Sequence, residues 1–249
     1  MTKREVVGRY RGSVMGLAWS FFNPILMLSV YTFVFSEVFK ARWGSGGGDD
    51  KASFAVFLFV GMIVHGLFSE CINRAPGLIL SNVNYVKKVV FPLEILPSVA
   101  MGSALFHAVI SLVVLLSAQL LFNQRFPWTI VFLPAILLPL LLATTGVAWV
   151  LSSLGVFVRD IAQITGILTT VLMFLSPVFY PVSALPRDYQ LWLHVNPLTF
   201  IIEQARNVLI FGDAPDWTGW IIVFAASLTI ATGGFWWFQK TRKGFADVL

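Results

Sequence analysis

The sequence predicts an all-α polytopic membrane protein with six transmembrane helices. An N-terminal amphipathic interface helix precedes them, and short re-entrant or interfacial helices precede the sixth span. Three observations carry this reading. Hydrophobic residues make up 57% of the 249-residue chain and charged residues only 12%, about half the charged share of an average soluble domain. Mean hydropathy is +0.82. Apolar runs of membrane-spanning length recur, and they are continuous rather than alternating, which fits helices and not barrel strands. The whole chain, 1–249, reads as one transmembrane domain: 1–19 an interface helix, 20–240 the spans, 181–217 an extracytoplasmic region, 241–249 a tail.

Residues 2–19 place Val6, Val7, Tyr10, Val14, Leu17 and Ala18 along one helical side, among Lys3, Arg4, Arg9 and Arg11. An amphipathic helix of this kind lies in a membrane interface. No small-residue cleavage site follows the first apolar run, so it is expected to be retained as a span. That span covers roughly Phe21 to Val38, with Pro24 in its first turn. A glycine-rich loop around Gly44–Gly48 follows. The second span is about Phe54 to Ile72, the third Leu96 to Phe122, the fourth Ile130 to Val156. Arg159-Asp160 marks a tight turn before a fifth span, about Ile161 to Phe179. The sixth runs from about Trp220 to Phe238.

Segment 181–217 holds an amphipathic helix. Asn196-Pro197 is an N-cap followed by Pro at the first helical position, and Gly212 is a stop. Leu198, Ile201, Ile202, Ala205, Val208 and Leu209 form its apolar face. Glu203, Arg206 and Asn207 are expected on the opposite one.

Six spans leave both termini on one side. Eleven of the 17 Lys and Arg residues fall there, including the pair Lys87-Lys88 in the short wet stretch Asn84–Glu94 between two apolar runs. Basic residues mark the cytoplasmic side, so both termini and this stretch are expected to be cytoplasmic. Trp128, Trp217 and Trp220 then fall near the far interface. The basic balance needs no nucleic acid: no basic run exceeds two residues and no recognition motif appears. Membrane lipids are the expected partners of those charges.

Chemistry-bearing patterns are few. The chain has no phosphate-binding loop, no Cys/His metal spacing and no nucleophile elbow. Cys71 has no intrachain disulfide partner. Ion-coupled transporters need intramembrane acids or broken helices around an ion, and only Glu70 approaches that description, with Arg74 at i+4 as its expected partner. A membrane-embedded enzyme would need Asp, Glu or His clustered on one face, which the spacing does not offer. Two hydroxyl stripes stand out. Ser29, Thr32 and Ser36, with Phe33 beside them, lie on the first span; Thr165, Thr169, Ser176 and Tyr180 lie on the fifth. Such stripes either bond helices together or line a wall facing a polyhydroxylated substrate. Arg4, Arg9 and Arg11, together with Lys87 and Lys88, are placed to attract an anionic lipid headgroup.

Five segments in order resemble the permeases of ABC-type polysaccharide exporters. They are Arg9-Tyr10-Arg11-Gly12-Ser13 leading through Leu17–Pro24; Val86–Pro97; Val158-Arg159-Asp160-Ile161; Ser176–Pro181; and Asn196-Pro197-Leu198 with Arg206 following. The resemblance covers essentially the whole chain. It implies two copies of the permease paired with two separate ATPase subunits, and export of a lipid-linked polysaccharide across the inner membrane. It implies that ATP and Mg belong to the partner and that this chain carries no cofactor and is not itself an enzyme. Asn84, Tyr85, Lys87, Lys88, Arg159 and Asp160 would meet the ATPase. The conduit would form between the two copies, with the first and fifth spans prominent. Asn196, Pro197, Glu203 and Arg206 would belong to an outer gate. A related permease exporting a drug or other small amphiphile is the alternative.

Overall fold

The computed structural model describes residues 1–34, 51–87, 91–123 and 127–249. Among these the chain is helical throughout, with no strand. The helices are α1 (Thr2–Arg9), α2 (Trp19–Tyr31), α3 (Lys51–Arg74), α4 (Val83–Lys87), α5 (Ile95–Asn123) and α6 (Leu133–Phe157). They continue as α7 (Ile161–Phe174), α8 (Arg187–Val195), α9 (Pro197–Arg206), α10 (Trp217–Thr241) and α11 (Phe245–Val248).

Five helical stretches are long and apolar enough to cross a membrane: Gly16–Val34, Phe54–Gly77, Ile95–Leu121, Trp128–Phe157 and Trp217–Gly244. The expected fifth span departs from the expectation. Its helix stops at Phe174, and 14 residues rise only about 21 Å, short of a hydrocarbon core about 30 Å thick. The reason lies in Ser176-Pro177: proline disfavours helix for the residue before it and removes its own N–H. Pro24 also differs. Helix begins before Phe21, with a 3-10 turn over Gly16–Ala18 and α2 from Trp19, so Pro24 sits inside α2 rather than in its first turn.

Helix α3 is the axis of the bundle. Two thirds of its span, 67%, is buried within the protein, against 6% for the Gly16–Val34 stretch. Val60, Val64, Leu67 and Cys71 of α3 meet Ile136 and Leu140 of α6 and Ile201 and Ile202 of α9 in the main apolar core. Helices α6 and α10 cross at glycine. A Cβ on Gly146 would lie 2.6 Å from the Ile230 carbonyl oxygen, so only a bare backbone permits this approach, as at other small-residue crossings in membranes.

A second apolar cluster closes the end that carries both termini. Phe238 and Phe245, both fully buried, pack with Leu78, Ile79, Leu93 and Leu96. The C-terminal segment therefore folds back onto the connection between α3 and α5. Arg242 pairs with Glu94 at 3.1 Å, and the Trp149 indole N–H donates to the Glu94 carbonyl at 2.9 Å.

At the opposite end, Trp128, Phe132, Trp217 and Trp220 form a chain of ring contacts 5.5–6.0 Å apart. Trp128 stays 70% exposed. Amphipathic rings gathered at one end match an interfacial aromatic belt.

Candidate functional site

The functional candidates form three groups, at the terminal end, along α2 and α7, and at the opposite end.

At the terminal end Asn84 is exposed on α4, a five-residue helix. Tyr85 stacks on Phe91 with ring centroids 4.6 Å apart, and both rings pack against the second apolar cluster. Lys88 lies outside the described residues, as does the side chain of Lys87. Arg159 and Asp160 are exposed in the turn between α6 and α7. Asp160 is the N-cap of α7, and its carbonyl accepts the Gln163 and Ile164 amides at 3.0 and 3.1 Å. The two segments are joined directly. A Cβ on Gly155, two residues before the end of α6, would fall within 2.8 Å of the Pro76 backbone. The turn after α6 and the connection after α3 thus share one backbone contact.

The N-terminal helix is latched to the bundle by charge. Glu5 pairs with Arg74. Arg9 reaches Glu70 at 2.7 Å, and His107 Nδ1 lies 3.0 Å from the Glu70 carboxylate and 3.2 Å from Arg9 Nη1. The other ring nitrogen, Nε2, lies 3.2 Å from the Tyr10 hydroxyl. The expected Glu70–Arg74 pair is present at 3.9 Å, beside the contact of Arg74 with Glu5. Arg9 pairs with Glu70 yet stays exposed, as do Arg4 and Arg11. The acid and histidine that the linear spacing kept apart do meet. Glu70 and His107 are 37 positions apart, and only the antiparallel α3/α5 pairing reveals them. Among the described residues no group of three His, Cys, Asp or Glu is arranged to hold a metal.

Along α2 the Ser29 and Thr32 hydroxyls donate back to the Ile25 and Leu28 carbonyls, both at 2.8 Å. Phe33 is 63% exposed. Ser36 lies outside the described residues. On α7 the stripe turns inward. Thr165, Thr169 and Ser176 are all buried within the chain. Thr165 donates to the Ala162 carbonyl at 2.9 Å. Thr169 donates to Asn73 Oδ1 at 3.1 Å, and the carbonyl of Thr169 lies 3.0 Å from His65 Nε2. Ser176 donates to the Leu172 carbonyl and accepts from Asn196. None of the three faces an opening of the protomer: Thr169 bonds across to α3 and Ser176 to Asn196, while Thr165 bonds within α7. The physical reason is that a buried hydroxyl is costly unless bonded. The exposed face of α7 is instead Ile164, Ile167, Leu168, Val171 and Phe174. Tyr180 is half-buried and donates to the Phe174 carbonyl at 2.7 Å, capping the broken end of α7.

At the opposite end the expected cap is present. Asn196 Oδ1 accepts from the Leu198 amide at 3.0 Å, with Pro197 at the first helical position. Asn196 also donates to Ser176 Oγ at 2.9 Å, tying the start of α9 to the end of α7. The six expected apolar positions of α9 and the turn after it are all buried, and Gly212 ends that turn at φ 77°. Arg206 is a correction. It was expected on the polar face with Glu203, but only 3% of it is exposed. Its Nε donates to the Phe57 carbonyl at 3.1 Å and its Nη2 to the Val178 carbonyl at 3.0 Å. The Val178 carbonyl lies in the broken segment after α7, where no helical donor serves it. Gly61 makes the space: a Cβ there would lie 3.0 Å from Arg206 Nη2. Burial pushes the Arg206 pKa down from its ordinary value, and the Glu203 carboxylate opposes that shift.

The described residues form an all-helical domain with several membrane-spanning stretches, an N-terminal helix latched by charge at one end and an inserted helix at the other. Residues 1–210 match the ABC-2 type transporter family, and the chain belongs to it. It is 27% identical to the O-antigen export system permease protein RfbA of Myxococcus xanthus, over 100% of this chain and 94% of that protein. It is 23% identical to the protein of the same name from Klebsiella pneumoniae, over 100% and 93%. The polysialic acid transport protein KpsM of Escherichia coli is 24% identical over 92% of this chain and 86% of its own length. These relatives agree with the resemblance carried by the five motif segments.

Proposed function

We propose that the chain is the transmembrane permease subunit of an ATP-driven exporter that moves a lipid-linked, O-antigen-like polysaccharide across the inner membrane. The observation that carries this is end-to-end similarity to O-antigen export permeases. The energy comes from a separate ABC ATPase pair, and ATP and Mg act there. The termini and the α4 platform lie on the cytoplasmic side, in keeping with the basic bias of that end. Asn84, Tyr85, Lys87, Lys88, Arg159 and Asp160 form the ATPase contact, and the Gly155–Pro76 junction lets one push reach both segments.

The substrate path lies between two copies. Helix α2 is left almost uncovered by its own chain, and so is the apolar outer face of α7. Ser29, Thr32, Phe33 and Ser36 contribute to the path from the first span. Thr165, Thr169, Ser176 and Tyr180 support it from behind, by fixing α7 and its broken end. Helix α7 and the segment that follows complete a sixth crossing. Asn196, Pro197, Glu203 and Arg206 hold the outer gate. Arg4 and Arg11 draw the anionic head of the lipid carrier to the entry side, each worth about 1 kcal/mol near a charged surface.

The test is genetic. Removing the gene from its native cell is expected to abolish surface polysaccharide while lipid-linked glycan accumulates inside, with rescue by the wild-type gene. Unchanged surface glycan would overturn the assignment.

A further inference from the structure

A cleft of about 320 Å³ opens between α2 and the α3/α5 pair, and its polarity is graded. At the terminal end it is lined by Arg9, Tyr10, Ser20, Glu70 and His107; further in, by Met27, Tyr31, Phe59, Met62 and Ile63. From Phe59 to Glu70 along α3 is about 16 Å, which is close to half of a hydrocarbon core about 30 Å thick. The cleft therefore has the depth of one leaflet, with its polar end at the membrane surface. Its volume is at the small end for a ligand pocket, which suits one headgroup and one chain rather than a glycan.

Two features at the polar end point to a ligand. Ser20 is 5% exposed and its hydroxyl has no hydrogen-bond partner, although a buried hydroxyl is ordinarily bonded. Beside it stand a guanidinium and a carboxylate 2.7 Å apart, each partly accessible. Such a pair complements a headgroup with both charges. The phosphate fits Arg9, Tyr10 and Ser20, and an ammonium with N–H groups fits Glu70. A purely anionic head would meet Glu70 unfavourably, and a quaternary ammonium has no proton to donate to it.

We propose that this cleft is a binding site for a membrane phospholipid with a primary-ammonium zwitterionic head, of the phosphatidylethanolamine class. The lipid wedges α2 against α3 and α5, and its head joins the latch that holds α1. The proposal does not depend on what the protein exports.

Gly66 supplies the test. It lines the cleft, and a Cβ built on it meets nothing within 4 Å. At Gly66→Leu the Cβ therefore enters open space, the rest of the side chain extends into the cleft, and leucine favours helix over glycine. The full-length protein is delipidated in detergent and titrated with phosphatidylethanolamine, phosphatidylcholine, phosphatidylglycerol or undecaprenyl phosphate, with bound lipid read by native mass spectrometry. Wild type is expected to retain phosphatidylethanolamine about tenfold more tightly than the other three. Gly66→Leu, still folded by circular dichroism, is expected to lose that retained lipid. Equal retention of all the lipids, or retention unchanged by Gly66→Leu, would overturn the proposal. Preference for undecaprenyl phosphate would overturn it too, by making the cleft a carrier-lipid site.

Discussion

Gly155, near the end of α6, rests directly on the backbone of Pro76, in the connection between α3 and α4. Gly155→Ala must push backbone against backbone, and overpacking of this kind costs about 1–3 kcal/mol. The variant is expected to melt at lower temperature in detergent and to stimulate the partner ATPase less for the same amount of assembled complex. Unchanged melting and unchanged stimulation would show that the two segments tolerate separation.

Arg206 is expected to be intolerant of conservative change. Methionine leaves the Val178 carbonyl without its side-chain donor, at about 1–3 kcal/mol for the group left unsatisfied, and removes the second bond to the Phe57 carbonyl. Lysine keeps the charge but lacks the planar fork. Thermal melting should rank wild type above Arg206→Lys and both above Arg206→Met. If Arg206→Met melts with wild type, the arginine is not the strut that joins α9 to α3.

The latch on α1 gives a kinetic readout. Glu5→Gln removes the carboxylate charge opposite Arg74, and a partly exposed pair is worth at most about 1 kcal/mol. Overall stability should hardly change, while amide exchange across residues 2–9 should rise severalfold. Exchange in α3 and α5 should stay as it was. Exchange unaltered in α1 would mean that Val6, buried at 5% exposure, holds the helix by itself.

The C-terminal segment belongs to the platform. Phe245 is fully buried beside Phe238, ring centroids 5.6 Å apart. Phe245→Ala is expected to cost about 3–5 kcal/mol and to expose the α4 region to protease before the rest. A melting temperature within a degree of wild type would contradict the packing.

Helix type, helix order and the α9 cap were legible from sequence because each rests on local pattern. Asn196-Pro197 is a signal read over two residues, and the apolar face of α9 follows from helical spacing. Arg206 was misplaced because spacing states which residues share a face, not which faces are enclosed. Here α9 is inserted beside α3, and Gly61, 145 positions away, supplies the room. The Glu70–His107 contact was invisible for the same reason, since it depends on how α3 and α5 register. The hydroxyls of Thr165 and Thr169 stand on one face as expected, but the partner of Thr169, Asn73, lies on another helix. The packing of the tail has no signal in the sequence, because a single phenylalanine after basic residues carries no periodicity.

The account rests on export powered by a partner. Its most direct test is transport by inside-out vesicles containing this chain, with and without its ABC ATPase, supplied with ATP and a lipid-linked polysaccharide. Polysaccharide is expected to become protected in the lumen only when both subunits and hydrolysable ATP are present. ATP-driven transport by this chain alone, or a complete system that moves small amphiphiles but no polysaccharide, would contradict it.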